Sequence, residues 1–286
     1  MLSAARNRRF IAVLALIAAA GLTLFSQRGS TAKSAFETHL EIGKEYLVRG
    51  SYENAVRELS QALKLSPGSS RALIERGTAY NQLKEYDRAI ADLTGAIKAD
   101  SKSSLAFNNR GVSYFRSGRP ALALKDFNRA IELTPLDPYA NLNYAGAALC
   151  AGEEKLGAVR LESWLDRVSW KDRYTGHAAV LAILNRRQAG QKREASDLLA
   201  RSLKRVNRLE WPYPFLLYLN GKKKADQMLE SAKDSDYETT QARCFLALAQ
   251  NSGGAADKAR ENFDWVRRYG DKTSLEYWLA RSLEKH

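Results

Sequence analysis

Gly43, Gly77 and Gly111 stand 34 residues apart, and so do Tyr46, Tyr80 and Tyr114, Ala55, Ala89 and Ala123, and Ala62, Ala96 and Ala130. Leu59, Leu93 and Phe127 keep the same interval, as do Pro67, Ser101 and Pro135. A unit this short cannot bury its apolar face alone, so copies at a fixed period must stack and share a core. Within each unit the small residue allows close approach of a partner helix, and the aromatic three positions later fills the space between helices. The Ala twelve residues before the proline position marks a tight crossing. Gly50-Ser51 and Gly118-Arg119 split a unit into two helices, and Pro67 or Pro135 ends the second. Only 6 prolines in 286 residues, with long Ala, Leu, Arg, Lys and Glu-rich stretches, favour helix throughout.

These positions resemble the tetratricopeptide repeat (TPR), in three units over 36–69, 70–103 and 104–137. The departures are Lys84 at the turn glycine, Pro120 in place of Tyr52 and Tyr86, and Ser101 in place of proline. The resemblance implies an all-α, right-handed superhelical solenoid of antiparallel helix pairs whose first helices line a concave groove. Two degenerate pairs are expected over 138–208, turning at Gly152 and Gly190. The stretch 209–286 reads as a Trp211-Pro-Tyr-Pro-Phe insert, a short helix over 222–232, a last pair turning at Gly253-Gly254, and a polar-faced capping helix over 273–285.

The order of these pieces is similar to the NlpI-type envelope TPR lipoproteins over nearly the whole chain after Lys33. That resemblance implies a homodimeric, lipid-anchored adaptor that brings peptidoglycan endopeptidases and a processing protease together. The chain departs from it in having no cysteine at the end of its first apolar run, which removes the lipid anchor, and in being strongly basic.

By the TPR pattern the groove takes Glu37, Leu40, Lys44, Leu47 and Val48 from the first unit. Arg71, Ile74, Thr78, Asn81 and Gln82 come from the second, and Leu105, Asn108, Val112, Phe115 and Arg116 from the third. Tyr139, Leu142 and Leu149 follow. Amide and apolar side chains together suit an extended peptide or an inserted helix from another protein. Leu40, Thr78 and Val112 stand where chaperone-binding TPRs carry their carboxylate clamp, so that ligand is not expected.

Residues 1–34 carry Arg6, Arg8, Arg9, Arg28 and Lys33 and no acid, around an 18-residue uncharged run from Phe10 to Gln27. This is the layout of a secretory signal, with a cut expected after Ala32. At 1.5 Å per residue the run also reaches roughly 27 Å, long enough to stay as an inner-membrane anchor. Either way the basic start stays in the cytoplasm and the rest is exported to the periplasmic side. Net charge is +13. Apart from the first segment, the excess sits in Arg186, Arg187, Lys192, Arg193, Arg201, Lys204, Arg205, Arg208, Lys222, Lys223 and Lys224, against Glu194, Asp197 and Glu210. Such a basic patch suits an acidic protein, an anionic membrane surface or a phosphate polymer. No stacking aromatics interleave with its basic residues, which argues against nucleic acid.

Nothing in the chain reads as catalytic. There is no nucleophile elbow, P-loop or Cys–His pairing, and His39, His177 and His286 lack metal-ligand spacing, so no catalytic residue, metal or cofactor is expected. Cys150 and Cys244 read as buried, inert thiols, and His177 as a surface residue opening the fifth pair. The sequence thus describes a non-catalytic binding scaffold. Its alternative role is an anchored assembly factor that recruits partners through the basic patch.

Overall fold

The computed structural model describes residues 34–170 and 172–283. The expectations for the leader, for His286 and for the end of the cap lie outside those residues. Among the described residues every regular element is a helix. In chain order they are α1 (34–48), α2 (Tyr52–Leu65), α3 (Ser70–Gln82), α4 (Tyr86–Ala99), α5 (Ser104–Arg116), α6 (Pro120–Leu133), α7 (Pro138–Ala151) and α8 (Glu154–Leu165). There follow α9 (Thr175–Gln188), α10 (Lys192–Arg205), α11 (Tyr213–Leu219), α12 (Ala225–Glu230), α13 (Asp236–Ser252), α14 (Ala256–Tyr269) and α15 (Leu275–Ser282). No described helix is long and apolar enough to cross a membrane.

The chain divides into two compact units, one ending at Ser101 and the other beginning at Lys102. In the first, the 34-residue beat has a direct steric cause. A Cβ at Gly43 would lie 2.6 Å from Leu59 Cγ, and one at Gly77 would lie 2.8 Å from Leu93 Cγ. Leu40, Ala55, Leu59, Ala62, Ala72 and Ala79 form a fully buried core, flanked by Tyr46 and Leu47. The turn between α3 and α4 needs a left-handed residue, which Gly50 supplies at the equivalent place with φ 73°. Lys84 adopts φ 63° there, a conformation that costs a side-chain-bearing residue about 1–2 kcal/mol.

The second unit opens with the third repeat, where a Cβ at Gly111 would lie 2.6 Å from Phe127 Cε1. Its turns at Gly118, Gly152, Gly190 and Gly254 all have positive φ, and α5 to α10 pack as successive neighbours. An ion pair not anticipated from the sequence repeats with the period in both units. Arg76 grips Asp92 through Nε at 2.7 Å and Nη2 at 2.8 Å, and Arg110 grips Asp126 at the same distances. Each pair joins the two helices of a repeat, and the carboxylate's hydrogen bonds hold its arginine above the usual guanidinium pKa. One repeat later Arg160 lies 5.2 Å over the Tyr144 ring instead.

Three helices depart from the one-sided pattern of a surface helix. From Ala140 to Cys150 nearly every residue of α7 is buried, as is every residue of α9 from Ala178 to Arg186 and nearly every residue of α13 from Thr240 to Ala249. Sequences such as His177-Ala-Ala-Val-Leu-Ala-Ile-Leu184 are apolar all round and require cover on both faces. One face packs on α8, α10 or α14, and α7, α9 and α13 also pack side by side. The remaining cover includes α15, which lies against α7, α13 and α14. The expectation of a polar-faced cap is therefore corrected: Glu276, Tyr277, Trp278, Leu279 and Ala280 are all buried.

Candidate functional site

The side chains expected to line a groove fall into two sets. In the first unit Lys44 pairs with Glu41 at 3.0 Å, and Arg71 reaches Glu37 at 3.3 Å and Glu41 at 3.8 Å. Val48 and Gln82 are exposed, and Thr78 bonds back to the Ile74 carbonyl. Leu40, Ile74 and Asn81 are buried, and Leu47 is half-buried against the core. These four are packing residues rather than open lining. Glu75, on the same helix, is held above the usual carboxylate range by burial.

In the second unit Asn108 and Phe115 are buried, and Asn108 accepts a hydrogen bond from Asn143 of α7 at 3.2 Å. Asn81 and Asn108 are thus not exposed groove residues: both side chains are buried, and α7 closes over Asn108. Leu105 and Tyr139 stay exposed, and Val112 is half-buried. Tyr139 meets Tyr174 edge-on, with the two hydroxyls 2.5 Å apart, and that hydrogen bond raises the Tyr139 pKa. Leu142 and Leu149 are buried.

What occupies the inner face here is α15. The Arg116 guanidinium of α5 lies 5.1 Å over the Trp278 ring. Gly146 of α7 gives room for Leu275, whose Cδ1 would be 3.0 Å from a Cβ at that position. His177 of α9 brings Nε2 to 2.8 Å from Glu276 Oε1. Arg267 of α14 donates to the Ala280 carbonyl at 3.0 Å. The helix is capped by Ser274, whose hydroxyl accepts from the Tyr277 amide, and Trp278 Nε1 donates to the Lys272 carbonyl.

His177 is consequently not a surface residue. Trp211 Nε1 donates to Gln241 Oε1 at 2.7 Å, which leaves Gln241 Nε2 to donate to His177 Nδ1 at 2.9 Å. An Nδ1 that accepts places the neutral imidazole's proton on Nε2, facing Glu276. The approach is off the line of a well-formed hydrogen bond, and Glu276 Oε2 has no hydrogen-bond partner among the described residues although the side chain is fully buried. The chain Trp211–Gln241–His177–Glu276 was not visible in the sequence, where its members lie up to 99 positions apart. The signal that could have shown it is the polar His177 heading an otherwise apolar helix.

The basic patch is only partly a surface. Arg186 is buried, with Nε 2.7 Å from Glu162 Oε1 and Nη1 donating to Gln191. Arg187 donates to the Leu219 carbonyl, and burial lowers its pKa. These two are corrected to structural roles. Arg201 pairs with Asp166 at 2.9 Å and, with Arg205, lies over the Trp170 ring, while Lys223 donates to Ser231. Lys192, Arg193, Lys204, Arg205, Arg208, Lys222 and Lys224 are at least partly exposed. Cys150 and Cys244 are free and buried; burial pushes the Cys150 thiol up to about 12 and Cys244 well above its ordinary value.

The tetratricopeptide repeat family matches the chain over residues 40–104 and again over 104–135. Among solved structures the chain is similar to the MamA protein, at 20% identity and a TM-score of 0.53, covering 60% of this chain and 92% of that one. It is also similar to YrrB, described as a TPR protein with an unusual peptide-binding site, at 17% identity and a TM-score of 0.51, covering 65% and 91%. Identities this low show the fold alone. No curated protein matches the sequence.

Proposed function

We propose that this chain, a tetratricopeptide-repeat protein, is a non-catalytic adaptor that binds peptide or helical segments of other proteins on the inner face of its helix pairs. The observation that carries this reading is the seating of α15 against Arg116, Gly146 and His177, which belong to the first helices of three successive pairs. A face that holds one amphipathic helix by a cation–π contact, a glycine shelf and a histidine has the features of helix-in-groove recognition.

The basic, acid-free residues 1–34 support export, which puts the adaptor in the bacterial envelope, periplasmic or held at the inner membrane, where peptidoglycan hydrolases or a protease are candidate partners. A homodimer belongs to the same reading. The outward-facing Arg193, Lys204, Arg208, Lys222 and Lys224 favour a second reading, an anchored assembly factor that meets an anionic surface.

The test is site-specific photo-crosslinking in the full chain. Probes at Arg71 and Gln82 in the first unit should trap a partner, as should one at Tyr139 in the second, while one at Lys64 on α2 should not. Equal labelling from all four positions would defeat the adaptor reading. A C-terminal alkaline phosphatase fusion tests export, since the enzyme is active only after translocation.

A further inference from the structure

Three side chains of α15 meet the inner face of the second unit. Leu275 fits the space at Gly146, Glu276 meets His177, and the Trp278 ring lies under Arg116. The three residues fall within one helical turn, yet they contact three different helices. Gln241 and Trp211 set the tautomer and orientation of His177, so that its Nε2 faces the carboxylate.

Two features mark α15 as replaceable. The packing of α5 through α10 on one another, of α7 on α9, of α9 on α13 and of α13 on α14 does not use it, so its departure removes no layer from the stack. Its Glu276 carboxylate is fully buried and neither oxygen has a hydrogen-bond partner among the described residues, only Oε1 approaching His177 Nε2 at 2.8 Å, so burial carries a cost that disappears when the helix returns to water. Beyond its last turn lies a cavity of about 930 Å³, lined by Leu149, Cys150, Leu248, Phe263, Arg267 and Leu283. A partner helix that reaches those lining residues adds apolar contacts to the ones α15 makes. Burial of added apolar surface favours such a helix in the competition with α15.

We propose that the seat of α15 is a binding site for a partner's amphipathic helix carrying an aliphatic residue, an acid and a tryptophan in the order of Leu275, Glu276 and Trp278, and that such a helix displaces α15. This rests on the adaptor reading and deepens it by naming the chemistry of the partner segment.

The test uses the full chain and a fluorescein-labelled peptide with the sequence of residues 271–283. Two hosts, Trp278→Ala and Leu275→Asp, weaken the resident helix without altering the groove. Both should bind the peptide at least tenfold more tightly than the unchanged chain in an anisotropy titration. Peptides carrying E276Q or W278A should lose at least tenfold on either host. Adding His177→Ala to a host should abolish the distinction between the unsubstituted peptide and its E276Q form. In the unchanged chain, amide hydrogens of 275–282 should exchange faster than those of α13.

Peptide binding no tighter to either host than to the unchanged chain overturns the proposal. If both hosts unfold, the exchange measurement decides alone, and α15 amides released only with those of α13 overturn it. Crosslinks from Arg71 and Gln82 do not depend on α15, so they separate failure of this inference from failure of the adaptor reading.

Discussion

Gly111→Ala tests whether the 34-residue beat is steric. The new Cβ would sit 2.6 Å from Cε1 and 2.7 Å from Cδ1 of Phe127, a fully buried ring. Carbon atoms rest about 3.5–4.0 Å apart, so the ring or the helix must move by about 1 Å. Overpacking of this kind costs about 1–3 kcal/mol, and replacing a helical glycine by alanine returns about 1 kcal/mol of helix propensity. The net expectation is a loss of about 1 kcal/mol. Gly95→Ala is the control, because its Cβ would lie 3.3 Å from only the tip of Leu73; it should be neutral or stabilise by up to about 1 kcal/mol. Phe127→Ala alone should cost about 3–5 kcal/mol by leaving a cavity. The double variant should be better than additive by at least about 0.5 kcal/mol, since the added methyl occupies part of the space the ring vacates. Urea unfolding followed by far-UV circular dichroism measures all of these. Tryptophan fluorescence isolates the second unit, because Trp164, Trp170, Trp211, Trp265 and Trp278 all belong to it. Stabilisation by Gly111→Ala equal to that of Gly95→Ala would refute the steric account.

Lys84→Gly should stabilise the first unit by about 1 kcal/mol by relieving the left-handed φ, visible as a higher urea midpoint by circular dichroism without a change in tryptophan signal. Arg110→Met should cost about 3 kcal/mol in the second unit by stranding the buried Asp126 carboxylate, and a loss under about 1 kcal/mol would show the pair is solvated. Cys150 and Cys244 should be silent to a thiol reagent at pH 8 in the native chain and both react in guanidinium. A thiol whose pKa is raised by burial favours folding below the free-thiol value of about 8.5, so that contribution fades only as pH climbs toward the folded value of about 12 for Cys150.

The fold was legible because helix crossings leave a steric mark: Gly43, Gly77 and Gly111 are small for one reason repeated three times. Lys84 was readable as a turn position for the same cause, since only the chain's twist, not its side chain, had to match the glycines before and after it. The Arg76–Asp92 and Arg110–Asp126 pairs carry the same period but were passed over, because charged residues on an amphipathic helix ordinarily face solvent. The groove was legible in outline only. Arg116 does hold an inserted helix, yet the sequence had no means of showing that the helix is the chain's own, since the Arg116–Trp278 contact spans well over a hundred residues. Leu142 and Leu149, expected as groove lining, are buried in α7, and the all-round apolar character of α7 and α13, against which α15 packs, was the local trace of that cover.

Repeat arrays ordinarily tolerate trimming from an end, because each unit touches only its neighbours and exposes a polar flank when it becomes last. The fully covered α7, α9 and α13 withdraw that freedom from the second unit. A chain cut anywhere between α8 and α14 leaves at least one of them with an apolar side turned to water, so shortened versions should be sticky rather than smaller. In the first repeats, evolution can add or delete a pair; from α7 to α14 the helices are interlocked and must be inherited together.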